Sequence, residues 1–349
     1  MLDDHPKVGG ASLVRRCLSM VREVLAVNYD PCAPAPAAPI SLIGNTPLVE
    51  LKTVAPRPGV RIFAKLEGYN PTGSIKDRIA RRLVDEAEAS GKIRPGMTLV
   101  EASTGNTAIA LAMVAKQRGY KLRIILPHGV VPSVPMILGV FGTEVIWCPP
   151  EAGTRGAIEL ARKMADDDPD NVFAVQQFSN PLNIDTHYHQ TGAEIVESLQ
   201  KVSLGIDVLV AGIGTGGTIM GVGRRVRATF PKARIVGLEP ALGECLQGLR
   251  RIEDSFSPPL LDLSELNGRW IVTAAESINA AKVIAEREGL LVGVSSGAAL
   301  HIALKEAARV SGDCNIVCLF SDSGWKYLPA QPWEAAAAKA VSLDEVHWW

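Results

Sequence analysis

The 349-residue chain has few aromatics, 5% Phe, Trp and Tyr, and no surplus of one charge: 36 Lys and Arg stand against 37 Asp and Glu. A base-stacking surface needs the first, and a nucleic-acid or anionic-membrane surface needs a one-sided field. Neither partner is expected. Cysteine is sparse, with six residues at 17, 32, 148, 245, 314 and 318 and no CxxC pair. Cys314 and Cys318 lack a histidine cluster, so neither a zinc site nor a disulfide framework is expected, only thiols in a reducing compartment. His187 and His189 lack the carboxylates a metal pair would need, and no metal is expected. No uninterrupted run of about 18 apolar residues occurs. The start, Met-Leu-Asp-Asp-His, has no cationic region leading into an apolar core. The expected compartment is the cytoplasm. What remains, 47% apolar and 21% charged residues, suits one or two ordinary folded domains.

Apolar residues over 11–29 recur at spacings of three and four, which predicts an amphipathic helix. The PCAPAPAAP stretch at 31–39 follows as a stiff linker, so 1–40 reads as an appendage. From about 41, strand and helix patterns alternate. RIFAKLE (61–67), MTLVEAS (97–103), LRIILP (122–127), TEVIWCP (143–149) and NVFAVQQF (171–178) read as strands. IARRLVDEAEASG (79–91), NTAIALAMVAKQRG closing on Gly119, and GAIELARKMADD (156–167) read as helices, with a less regular 128–140. DVLVAGIG, RIVGLEP and NIVCLFSD are later short apolar runs. Alternation of this kind predicts an α/β fold with parallel sheet, the strands covered on both faces. Ligands in such folds sit where strand turns into helix.

Three such turns carry chemistry. Gly212 to Thr218 (GIGTGGT) offers backbone N–H groups and two hydroxyls at a helix start, an anion cradle. The same turn matches GxGxxG, with Glu239 placed as a ribose-binding acid would be, so a dinucleotide remains open on this motif alone. Lys76 follows the PTGS turn, with Ser74 as expected N-cap. A cation in a first helical turn faces the positive end of the dipole, which lowers its pKa and suits it to Schiff-base chemistry and proton transfer. Ser103, Thr104, Gly105, Asn106 and Thr107 crowd a third turn, with more donors than a cap requires. A nucleophilic lysine, a phosphate cradle and a carboxylate cradle together fit an amino acid joined to pyridoxal phosphate, whereas NAD leaves Lys76 and Asn106 without a role.

The ordered stretches IGNTPLVEL (43–51), KLEGYNPTGSIKDR (65–78), STGNTAIALA (103–112), FSNPLNIDTHYHQTGAEI (178–195), GIGTGGTIMG (212–221) and GVSSGAAL (293–300) resemble the cysteine synthase and cystathionine β-synthase family of fold-type II pyridoxal phosphate enzymes. HYHQTGAEIV (187–196), GLRRIEDSF (248–256) and SDSGWKYL (321–328) look most like its actinobacterial phosphoserine-dependent members. The resemblance implies two parallel-sheet α/β domains with the cofactor between them. Residues 41–69 plus 181–349 would form the larger domain and 70–180 a smaller, mobile one. It implies Lys76 as cofactor and catalytic lysine, Asn106 on the ring oxygen, and Gly214, Thr215, Gly216, Gly217 and Thr218 on the phosphate. Ser295 would face the ring nitrogen. Ser103, Thr104, Thr107 and Gln177 would hold the substrate carboxylate, and Arg250 a substrate phosphate, with Arg251 adjacent.

The reaction implied is replacement of the β-substituent of an activated serine, O-phosphoserine before O-acetylserine, by sulfur to give cysteine. Other nucleophiles would give other β-substituted alanines. An NAD-dependent oxidoreductase is the alternative of a different class. A homodimer and a thiocarboxylated sulfur-carrier protein are the implied partners. The apolar 128–142 segment departs from the family pattern, and the Trp348 and Trp349 end is expected to dock over the cleft or on the body.

Overall fold

A computed structural model describes residues 38–252 and 257–330. The expected helix over 11–29, the linker up to 37 and the Trp348 and Trp349 end lie outside the described residues. In chain order the elements are β1 (Leu48–Glu50), β2 (Val60–Leu66), α1 (Lys76–Ala89), β3 (Thr98–Ala102), α2 (Asn106–Arg118), β4 (Lys121–Leu126), α3 (Ser133–Val140), β5 (Glu144–Trp147), α4 (Gly153–Asp167) and β6 (Val172–Ala174). Then come α5 (Leu182–Thr186), α6 (Ala193–Gln200), β7 (Val208–Gly212), α7 (Gly217–Thr229), β8 (Arg234–Pro240), β9 (Gly268–Val272), α8 (Ala274–Glu288), α9 (Val294–Ala307) and β10 (Cys314–Phe320). A π-turn over His187–Gly192 joins α5 to α6.

Two sheets result. Six strands run in the order β1-β2-β10-β7-β8-β9, and four in the order β5-β4-β3-β6. Every neighbouring pair is parallel except the short edge pair β1 and β2. The parallel expectation therefore fails only at β1, a three-residue edge strand with a short connection to its partner.

Alternate residues explain why the apolar runs show no polar face. Val208 and Val210 of β7, with Ile316, Cys318 and Phe320 of β10, pack on one side against α8 and α9. Leu209 and Ala211, with Val317 and Leu319, pack on the other against α6 and α7. The smaller sheet does the same: Leu99 and Ile124 lie with α1 and α2, and Val100 and Ile125 with α4. Truncating a fully buried side chain such as Leu99 to Ala should cost about 2–5 kcal/mol.

Helix ends follow local chemistry. Gly119 closes α2 in the left-handed conformation at φ 77°, and a Thr273–Glu276 capping box opens α8. The irregular-looking 128–140 stretch contains α3, and Pro135 sits in its first turn, where a missing N–H costs nothing. Among the described residues, no helix is long and apolar enough to cross a membrane.

Candidate active site

β2, β10 and β7 are neighbours, so the turns leaving their C-terminal ends run side by side. Ile75 donates its N–H to Ser321 O at 2.9 Å, and Ser323 donates to Gly73 O at 3.1 Å. The turn leaving β3 faces them from the other sheet. Asn106 spans the gap by donating from Nδ2 to Asp322 Oδ2 at 2.7 Å.

Lys76 is the first residue of α1. Burial holds its ammonium down to about 8, and the negative charge of Asp322 works in the other direction. Desolvation in the cleft is thus the leading cause, in the same downward direction the first helical turn implied. Ser74 accepts from Lys76 N at 3.3 Å, while Ile75 occupies the cap position expected for Ser74. Asp77, in the first turn, accepts from Thr72 N at 2.7 Å and from the Thr72 hydroxyl, which ties the preceding turn to the helix.

In the turn after β3, Ser103 Oγ accepts from Gly105 N and Ala108 N, each at 3.2 Å. It caps α2 and keeps its own O–H for another acceptor. Thr107 donates from Oγ1 to Gln177 Oε1 at 2.6 Å, and Gln177 donates from Nε2 to Ala102 O at 3.0 Å. Glu101, beneath them, accepts from Gln177 N at 3.1 Å, and burial pushes its carboxyl up to about 7. Ser103, Thr104, Thr107 and Gln177 all line a 210 Å³ cavity that also contains Lys76 and Gly214.

The glycine turn is shaped by the chain's own packing. A Cβ at Gly214 would lie 2.4 Å from Gly248 O, and one at Gly217 would lie 2.1 Å from Asn183 Oδ1. Gly216 takes φ +84° at the helix start. Thr215 Oγ1 accepts from Asn183 Nδ2 at 3.0 Å, so its hydroxyl hydrogen is left to donate. Thr218 Oγ1 lies 3.2 Å from His187 Nε2, whose ring is kept neutral by burial. A pocket adjoining the cavity holds Lys76, Asn106, Gly214, Thr215, Gly216, Thr218 and Ser295. First-turn amides of α7 add donors there that no helix can satisfy internally.

Arg250 and Arg251 both line the larger of these two cavities. Arg250 is anchored by its N–H to Ile213 O at 2.7 Å, and its guanidinium lies 4.9 Å from the Phe178 ring centroid. Burial pulls its pKa down to about 10, against the charge of Cys245. Glu239, the acid of the dinucleotide alternative, is 1% exposed, accepts from Ile252 N at 2.8 Å and pairs with Arg269 at 3.3 Å. It is spent inside the fold, and that alternative is set aside.

Sequence reasoning missed Asp322, Lys326 and Gln247. Asp322 and Lys326 belong to the turn leaving β10, a strand end of the same kind as the three singled out, so the topological rule would have found them. Gln247 carries no local signal; its Nε2 would lie 2.4 Å from a Cβ on Gly105, across the cleft. His187 and His189 diverge: the first is buried against Thr191 and Thr218, and the second is exposed beside Asp185. Among the described residues, no group of three or more His, Cys, Asp or Glu is placed to hold a metal ion.

The pyridoxal-phosphate dependent enzyme family matches residues 40–322. Cysteine synthase B of Escherichia coli is 38% identical over 286 residues, covering 82% of this chain and 92% of its own length. The O-acetylserine dependent cystathionine beta-synthase of Bacillus subtilis is 38% identical over 300 residues, covering 84% and 96%. The crystal structure of an O-ureido-L-serine synthase superposes with a TM-score of 0.80 at 31% identity, over 86% of this chain and 96% of that one. With the family matched over residues 40–322, and with Lys76 and the 103–107 and 214–218 turns lining adjoining pockets, the chain belongs to the pyridoxal-phosphate dependent enzymes of fold-type II.

Proposed function

We propose that the chain is a cysteine synthase that replaces the phosphate of O-phosphoserine with sulfur. The observation that carries this reading is the convergence of Lys76, the 103–107 turn and Arg250 on one 210 Å³ cavity. The residues fit pyridoxal phosphate. An amine depressed to about 8 suits its aldehyde, the α7 N-terminus and the Thr215 and Thr218 hydroxyls suit its phosphate, and Ser295 suits its ring nitrogen. When bound, the cofactor supplies an electron sink that acidifies the substrate Cα–H.

The chain's own groups do the rest. The Ser103 and Thr104 hydroxyls and the first-turn N–H of Thr107 hold the substrate carboxylate, while the Thr107 hydroxyl is held by Gln177. Lys76, neutral in an appreciable fraction near pH 8, removes the Cα proton and later returns it. Arg250 or Arg251 meets the leaving phosphate, whose charge and oxygens a guanidinium matches in a way it cannot match acetate ester. A homodimer and a thiocarboxylated carrier as sulfur donor belong to the same proposal.

The test is steady-state turnover of the loaded enzyme with sulfide and either O-phosphoserine or O-acetylserine. A kcat/KM higher for phosphoserine by about tenfold or more supports the reading; a preference for acetylserine overturns the substrate assignment and leaves the cofactor chemistry standing. That second reading, an acetylserine-dependent synthase, is favoured by the name of the B. subtilis relative. The O-ureido-L-serine synthase likeness favours a further product class, another β-substituted alanine.

A further inference from the structure

The Asn106 side chain is held at both ends. Its Nδ2 donates to Asp322 Oδ2 at 2.7 Å, and its Oδ1 accepts from Lys326 Nζ at 2.7 Å. An ammonium only donates and a carboxylate only accepts. Rotating the amide by half a turn would set its NH2 against the Lys326 ammonium and its carbonyl against the Asp322 oxygens. The orientation is therefore fixed by charge and not merely by packing. Asp322 uses one of the two Nδ2 hydrogens, and the second is left for the pocket that Asn106 shares with Lys76, Thr215 and Ser295.

The clamp is itself anchored. Lys326 Nζ also donates to Gly73 O at 3.3 Å, and the Lys326 carbonyl accepts from Ser133 Oγ at 2.8 Å. Tyr327, fully buried, donates its hydroxyl to Asp322 Oδ2 at 2.8 Å. Asp322 is 2% exposed, and its Oδ1 rests against Gly293, where a Cβ would lie only 1.9 Å away. Asp322 and Lys326 are thus each tied to groups other than Asn106.

We propose that Lys326 and Asp322 are positioning residues that lock the Asn106 amide so that one N–H always faces the cofactor pocket. The proposal rests on the reading that this pocket holds pyridoxal phosphate with Asn106 against it. A lysine and an aspartate far from α2 in sequence thus determine how a cofactor contact is presented.

A double-mutant cycle tests it. The readouts are the affinity of the apo protein for pyridoxal phosphate and the pH midpoint of the visible band of the loaded protein. Lys326→Met should weaken binding about tenfold, the weight of one buried hydrogen bond to a charged group. It should move the band's midpoint in the direction that Asn106→Ala moves it, and add nothing in the Asn106→Ala background. Lys326→Arg, which keeps a donor, should stay within about twofold of wild type. Asp322→Asn serves if Lys326→Met fails to fold: its amide no longer distinguishes the two ends of Asn106, and it should show the same non-additivity. Equal losses from Lys326→Met with and without Asn106 would overturn the proposal, because a packing role is additive. It would also fall if Asn106→Ala changed both readouts and Lys326→Met changed neither. A wild-type protein that takes up no pyridoxal phosphate would sink the cofactor reading and the clamp together.

Discussion

Lys76 and Arg78 lie two residues apart on α1 and meet opposite fates. Residues at that spacing point to different sides of a helix. Arg78 is turned into the fold, where it donates to Glu67 at 2.7 and 2.8 Å, to Glu194 at 2.6 and 2.8 Å and to Thr46 Oγ1 at 3.1 Å. Lys65 adds 2.6 Å to Glu194 and 2.7 Å to Thr46 O. Against the burial that favours a neutral form, these acids raise the Arg78 pKa above its ordinary value. Lys76 is turned into the cleft, where burial outweighs the charge of Asp322 and the pKa falls to about 8. A saturated set of charges holds the chain together; a cation left short of partners becomes a usable amine. Both cations are buried; the guanidinium stays charged on its own chemistry and gains the acids, whereas the amine is left with less compensation than its desolvation.

The largest effect is expected at Lys76. Lys76→Ala should abolish the visible band of the loaded protein and cut turnover by about three decades or more, with the melting temperature of the apo chain nearly unchanged. Turnover near wild type would remove Lys76 from the chemistry. Arg78→Met should act the other way round. It strands Glu67 and Glu194 and should cost about 3–5 kcal/mol of stability by denaturant titration, while the folded fraction keeps its kcat. A fall in kcat without a change in stability would show that the two clusters are one.

Arg250→Ala is a smaller and more selective change. With phosphoserine it should lower kcat/KM by about two decades, and with acetylserine much less; the same losses for both would mean that this arginine does not choose the leaving group. Arg251→Ala, run in parallel, decides between the neighbours.

The smallest effects are those of pH, and the two clusters place them at opposite ends. Burial raises the Glu194 carboxyl, but Arg78 and Lys65 reverse this and hold it at about 2. Its folded pKa lies below its unfolded one, so its stabilisation is complete above about pH 4.5 and is lost as pH falls from there towards 2. Acid melts should show this loss, and Glu194→Gln should flatten it. For Lys76 the neutral amine is the reactive form, so uptake of pyridoxal phosphate by the apo chain should rise with pH and level off above about 8. A rate independent of pH between 6 and 9 would contradict a depressed lysine, the range being about one to two units either side of that value.

Much of this was legible before any coordinates. Strand and helix alternation set the fold class, because a run such as VLVAG has no polar face to show water and must be covered twice. Gly119 marked a helix end by its freedom at positive φ. Lys76, the 103–107 turn and the 212–218 turn were readable because turn chemistry is local. β1 and β9 were not: one is three residues long, and the other, Gly268–Val272, is an edge strand whose Arg269 and Trp270 blur any apolar run.

Element types, the turns that bear chemistry and the residues able to serve there are written in short stretches of chain, because periodicity and capping act over a few residues. Which of those groups end up short of partners depends on the packed fold. That Asp322 and Lys326 meet Asn106 across separations of 216 and 220 residues follows from the sheet order that sets β10 beside β2 and from the facing of the two sheets. The same long-range geometry gives Arg78 its acids and sets the charge of Asp322 against the burial of Lys76, which outweighs it. Burial and electrostatic compensation depend on neighbours in space, and no window of local sequence contains them.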